Sequence, residues 1–220
     1  MGEIVLVHGA WGVPAVWDGV AGPLRERGHS VRTPELHRGS LAADTAAVQA
    51  EVDAAGGVAV VCGWSYGGAV ITGLELGDGS RLVYLAAVVP DEGESTFELA
   101  SSEPTLLAGA IVMGDDGTAT IDPAQLDAAL WADAPADVSA AAASLLRPQA
   151  VRPLTESPAR QAWKTTPSTY VVCAKDEAIA PAVQRRLATR TSEVVEWDCS
   201  HSPMLSRPGD IVALLDDLAP

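Results

Sequence analysis

From Glu3 to Pro90, short apolar runs alternate with stretches of helical spacing. Glu3 to His8 (EIVLVH) is a β-branched apolar run ended by Gly9, which predicts a buried strand. Pro14 to Arg27 returns Val16, Trp17, Val20 and Leu24 at helical spacing and stops at Gly28. The same reading gives a strand over Ser30 to Leu36, a helix over Leu41 to Ala54 and a strand over Val58 to Cys62. It then gives a helix over Tyr66 to Leu76, ended by Gly77, and a strand over Arg81 to Val89, stopped by Pro90.

After Pro90 the rhythm breaks. Residues 91–167 are rich in Ala, Ser, Pro and acidic side chains. They hold helix-like pieces at Pro123 to Trp131 and Ala136 to Leu146, and no clear strand. The alternation resumes with a strand at Thr169 to Cys173, a helix at Pro181 to Thr189, a strand at Glu193 to Trp197 and a helix at Asp210 to Leu218. Strands separated by helices of this length imply βα crossovers and a parallel sheet. The expectation is an α/β fold of about six mostly parallel strands. Its core spans residues 1–90 and 168–220, and residues 91–167 are inserted after the fourth strand.

Composition narrows the class. With 48% hydrophobic residues in 220, the chain is a globular one with a sizeable core. No apolar run reaches the ~18–20 residues that span a bilayer, and no secretory leader is expected at Met1. The net charge of −15 repels nucleic acid and anionic membrane. Three cysteines cannot all pair, and Cys62 and Cys173 fall in strand-like runs, where a buried free thiol is the simplest state. That points to a reducing, cytoplasmic setting.

The chemical signal begins at Gly63-Trp64-Ser65-Tyr66-Gly67, a G-x-S-x-G pattern between a strand and a helix. So tight a turn lifts the serine hydroxyl clear of the sheet. It also sets the next N–H at a helix start, facing a developing oxyanion. A serine needs a base, and of four histidines His201 fits best, because it follows the sixth strand, late in the chain. His8, which ends the first strand, is the alternative base but reads better as a framework residue for the Gly9-Ala10 turn. Asp176 follows the fifth strand and is the candidate acid, with neighbouring Glu177 and Asp91 as alternatives. Ala10 offers a second backbone donor to the oxyanion, as partner of Tyr66. Trp11 beside that loop and Trp131 in the inserted segment are candidate substrate-binding residues.

With Val7-His8-Gly9-Ala10-Trp11, the serine pentapeptide and Gly68, Asp176 and His201 in place, the chain resembles the α/β-hydrolases. It is most similar to the small branch of plant methylesterases, hydroxynitrile lyases and bacterial esterases. The resemblance implies a helical cap over 91–167, Ser65, His201 and Asp176 as catalytic residues, and Ala10 and Tyr66 N–H groups as the oxyanion hole. Lyases of that branch carry threonine where this chain has Gly9 and lysine where it has Ser202. The expectation is therefore a carboxylic ester hydrolase. Other possibilities are a lyase, cyclase or tailoring enzyme using the same three side chains, and a non-catalytic ligand receptor. No H-E-x-x-H, zinc spacing or dinucleotide fingerprint is present, so no cofactor or metal is expected. The expected partner is a small-molecule ester, and the expected state is a monomer or homodimer.

Overall fold

The computed structural model describes residues 1–219. Six strands form the main sheet: β1 (Glu3–Val7), β2 (Ser30–Arg32), β3 (Val60–Trp64), β4 (Arg81–Leu85), and, after the inserted segment, β8 (Ser168–Cys173) and β9 (Glu193–Trp197). Their order is β2-β1-β3-β4-β8-β9, and every pair is parallel. The inner strands β1, β3, β4 and β8 read as largely apolar on both sides because both faces are covered, whereas edge strand β9 is mostly exposed. Val5, Val61, Tyr84, Tyr170 and Val172 belong to one core, while Ile4, Leu6, Cys62, Val83 and Val171 belong to the other.

Helices α1 (Asp18–Glu26), α10 (Pro203–Ser206) and α11 (Pro208–Leu218) cover the second core with Val20, Leu24, Met204, Ile211 and Leu215. Helices α2 (Leu41–Ala54), α3 (Gly67–Thr72) and α9 (Pro181–Ala188) cover the first with Val48, Val52, Val70, Ile71, Val183 and Leu187. Helix α2 starts where expected, because Ser40 Oγ caps the Ala43 N–H at 3.2 Å. Several strands and α3 are shorter than the apolar runs that foretell them. β4, for example, ends at Leu85, and Ala86 to Val89 continue as buried non-strand backbone.

The inserted segment is not purely helical, which corrects the sequence expectation. It contains α4 (Thr96–Ala100), α5 (Leu106–Ala110), α6 (Leu126–Leu130), α7 (Ala136–Leu145) and α8 (Arg152–Thr155). It also holds β5 (Ile111–Met113), β6 (Thr118–Ile121) and β7 (Gln149–Ala150), an antiparallel sheet in the order β5-β6-β7. Strands of two to four residues leave little periodicity to read. The turn between β5 and β6 is set by Asp116, whose Oδ1 accepts the Thr118 N–H at 3.0 Å and the Thr118 hydroxyl at 2.7 Å. Among the described residues no helix is long and apolar enough to cross a membrane.

The chain enters the sheet at β1, adds β2 on one side, and returns to place β3 on the other. The strand order thus reverses between β1 and β3, and crevices for ligands open at such points beyond the strands' carboxyl ends. The loops carrying Ala10 and Ser65 leave β1 and β3 there.

Candidate active site

Ser65 follows β3 with φ 56°, a left-handed conformation that costs a non-glycine residue energy and persists only where its surroundings enforce it. The enforcement is visible. Ser65 N–H donates to the Leu85 carbonyl at 3.2 Å, and the Ser65 carbonyl accepts N–H groups of Gly68 at 3.0 Å and Val88 at 3.3 Å. A Cβ at Gly63 would lie 2.6 Å from the Gly67 carbonyl oxygen, and one at Gly67 would lie 2.7 Å from that of Val7. The pattern of small residues around the serine is therefore a packing requirement.

Asp176 and His201 come from loops after β8 and β9, and both are buried. His201 Nδ1 lies 2.6 Å from Asp176 Oδ2. Asp176 Oδ1 accepts the Ala178 and Ile179 N–H groups at 2.6 and 2.9 Å, so the loop itself orients the carboxylate. Gln184 on α9 adds an N–H bond to Asp176 Oδ2 at 2.6 Å. Its own orientation is set by Cys173 N–H, which donates to Gln184 Oε1 at 2.9 Å. Sequence reasoning missed Gln184, because its partners Cys173 and Asp176 lie at the end of β8 and in the loop after it, a tertiary contact that local pattern does not encode.

The serine turn and the histidine loop meet through Trp64. Its indole N–H donates to the His201 carbonyl at 2.8 Å, and its ring lies 5.4 Å from the imidazole at a 45° tilt. The inserted segment reaches the same loop. Asp133 accepts the Ser200 N–H at 3.0 Å and, through its other oxygen, a short bond from the Ser200 hydroxyl.

Ala10 and Tyr66 both border a cavity of about 220 Å³ that also takes in Ser65, Trp11, Thr96, Phe97, Leu107 and Ile111. Among the described residues, neither the Ala10 nor the Tyr66 N–H has a backbone acceptor. The Tyr66 phenol is occupied elsewhere: it donates to buried Asp44 at 2.7 Å, and burial together with the Asp44 charge pushes its ionisation far up. Trp11 has φ 58° and is pinned to the inserted segment. Its indole N–H donates to the Ala119 carbonyl at 2.7 Å, and its carbonyl accepts the Arg147 N–H at 2.9 Å.

Two expectations land elsewhere. Trp131 is not among the residues around Ser65. Its ring is buried, its indole N–H donates to Asp127 at 2.6 Å, and it lines a separate cleft of about 520 Å³ with Trp64, Leu146 and Met204. A tryptophan four residues after an aspartate on a short helix finds its partner locally, which sequence position alone does not reveal. Asp91, an alternative acid, pairs with Lys164 at 2.5 Å at the surface.

His8 takes the framework role. Its Nδ1 lies 2.9 Å from the Gly9 carbonyl, its Nε2 accepts the Leu36 N–H at 3.2 Å, and burial lowers its pKa to about 4. His8, Glu35 and His37 bring ligand-type atoms within 4.8 Å of one another. Both His8 nitrogens are already engaged, however, and Glu35 pairs with Arg147 at 3.0 Å.

Residues 4–214 match the alpha/beta hydrolase family. The chain belongs to that family. This α/β-hydrolase is 29% identical over 176 residues to the alpha/beta hydrolase nvfD of Aspergillus novofumigatus, a match covering 73% of the chain and 69% of the relative. It is 35% identical over 114 residues to a carbendazim-hydrolysing esterase of a Nocardioides species, covering 45% of the chain and 47% of that relative. Among solved structures it superposes on a pyrethroid hydrolase from Sphingobium faniae with a TM-score of 0.83. That alignment has 23% identity and covers 98% of this chain and 96% of the other. A likeness at that identity speaks for the fold.

Proposed function

We propose that this α/β-hydrolase cleaves a carboxylic ester through an acyl-enzyme on Ser65, with residues 91–167 acting as a cap over the site. The observation that carries the reading is the Asp176–His201 pair. With Nδ1 held by the carboxylate at 2.6 Å, Nε2 is the nitrogen left to exchange a proton. Ser65 Oγ attacks the ester carbonyl carbon while His201 Nε2 takes its proton. The resulting imidazolium is stabilised by Asp176. The oxyanion is met by the Ala10 and Tyr66 N–H groups, and each such donor is worth ~10²–10³ in turnover. Collapse expels the alcohol, which receives the proton from His201. Water, deprotonated by His201, then attacks the acyl carbon, releasing the acid and restoring Ser65.

The relative named as a carbendazim-hydrolysing esterase supports ester-type chemistry. Ser202, directly after the histidine, carries no cation for cyanohydrin cleavage. The test is hydrolysis of short p-nitrophenyl esters together with labelling by a fluorophosphonate. The wild-type chain should do both and Ser65→Ala neither. Hydrolysis undiminished in Ser65→Ala would overturn the mechanism.

A further inference from the structure

The three side chains of the reading above leave the main sheet at separate places. Ser65 follows β3, Asp176 follows β8 and His201 follows β9, and the sheet order there is β3-β4-β8-β9. Acid and base come from neighbouring strands and meet directly, with His201 Nδ1 2.6 Å from Asp176 Oδ2. That bond fixes the imidazole against the end of β8, not against Ser65 on the far side of β4. The tie across the sheet is Trp64, the last residue of β3 and the one before the serine. Its indole N–H donates to the His201 carbonyl at 2.8 Å, and both residues are buried. Among the described residues this is the one hydrogen bond that joins residues 63–68 to residues 198–203.

Trp64 is itself held in place. Its backbone lies in register with Leu85 on β4. A Cβ on Gly9 would lie 3.1 and 3.3 Å from the Trp64 Cε3 and Cζ3 atoms, and one on Gly12 would lie 3.5 Å from Cζ3. One end of the indole therefore packs against the loop after β1, while its Nε1 edge meets the histidine loop. The ring also lies 5.4 Å from the imidazole at a 45° tilt, which limits the swing of His201. Reacting atoms must approach to about 3–3.5 Å, and a misplacement of about 1 Å can cost on the order of 10²-fold in rate.

We propose that Trp64 is a positioning residue of this site. Its N–H holds the His201 backbone at the distance from the serine turn that lets Nε2 take the Ser65 proton and deliver it to the departing oxygen. The inference rests on the reading of Ser65 as nucleophile and His201 as base. It carries a signature in the leaving group. p-Nitrophenolate departs as the anion, whereas phenolate, a stronger base, departs faster when His201 protonates it as the C–O bond breaks. A displaced imidazole slows acylation by both esters, because both need the base, and slows the phenyl ester further, because it also needs the acid. A mere loss of folded protein lowers both rates by one common factor.

The test replaces Trp64 with 3-benzothienylalanine, which keeps the shape of the ring and puts sulfur where the N–H was. It compares kcat/KM for p-nitrophenyl butyrate and phenyl butyrate, per site titrated to completion with a fluorophosphonate. The p-nitrophenyl ester should slow about fivefold to tenfold, the value of one neutral hydrogen bond. The phenyl ester should slow several-fold more. Trp64→Phe also lacks the N–H and should move the ratio of the two rates in the same direction, so either variant decides if the other fails to fold. Equal losses for the two esters, or no loss, in a variant that takes the label overturn the role of Trp64 while leaving ester hydrolysis intact. A wild type that hydrolyses neither ester, or takes no fluorophosphonate label, overturns the reading of Ser65, and this inference with it.

Discussion

Gln184 and His201 converge on one oxygen of Asp176: the Gln184 amide N–H donates to Oδ2 at 2.6 Å, and His201 Nδ1 meets the same atom at 2.6 Å. The amide cannot turn over, because its oxygen is held by Cys173 N–H and its nitrogen also donates to the Ile179 carbonyl at 2.8 Å. Gln184→Met removes both ends of this clamp at similar volume. The expected result is a drop of about tenfold in kcat with KM little changed, and a stability loss of about 1–3 kcal/mol from the unmet Cys173 N–H. Gln184→Glu sets a second carboxylate against Asp176 in a buried place and should cost more in both. Steady-state kinetics and denaturant titration of the two variants check this.

Much of this arrangement was legible in the sequence. The strand–serine–helix turn, the aspartate after β8 and the histidine after β9 could be placed from apolar runs and turn residues. The structure brings Asp176 and His201 together and sets His201 against Trp64. Gln184 was hidden because its significance lies in a contact between α9 and the end of β8, which local pattern does not encode. The small sheet of β5, β6 and β7 was hidden by the shortness of its strands. Trp131 was misplaced because an aromatic in an inserted segment has no periodicity that tells which cleft it faces.

The close approach at Gly67 makes a second prediction. A Cβ there would sit 2.7 Å from the Val7 carbonyl oxygen and 2.9 Å from that of His8, both backbone atoms of the first strand and its loop. Neither can yield without moving the loop that carries Ala10. Gly67→Ala should therefore destabilise the fold by about 3 kcal/mol or more, seen as a lowered Tm or lost soluble expression.

Asp133 links the inserted segment to the histidine loop through the Ser200 N–H. The residue is itself exposed, so its removal should leave global stability within about 1 kcal/mol. The loop, however, loses the contact that holds the residue before His201. Asp133→Ala is expected to lower kcat/KM several-fold with little change in Tm, and paired kinetic and thermal measurements separate the two effects.

His8 gives a pH signature. Burial, reinforced by the charges of His37 and Arg147 and opposed by the bond to Gly9, lowers its pKa from 6.5 to about 4. The unfolded chain takes up a proton on His8 as pH falls through about 6.5, whereas the folded chain does so only near 4. His8 thus costs the fold nothing above about pH 6.5. Stability is lost progressively between about 6.5 and 4, to a total on the order of 3 kcal/mol. His8→Gln keeps an acceptor for the Leu36 N–H and cannot titrate. Unfolding free energies of the two proteins, compared between about pH 7 and about pH 5, should show the steeper decline in the wild type.

The central claim is that Ser65 carries the acyl group, and acid-quenched reaction with p-nitrophenyl acetate, followed by intact-mass measurement and peptide mapping, tests it most directly. One acetyl group per chain is expected, on the peptide containing Ser65, absent in Ser65→Ala and formed far more slowly in His201→Ala. An acetyl group found on another residue, or full turnover by Ser65→Ala, would contradict it.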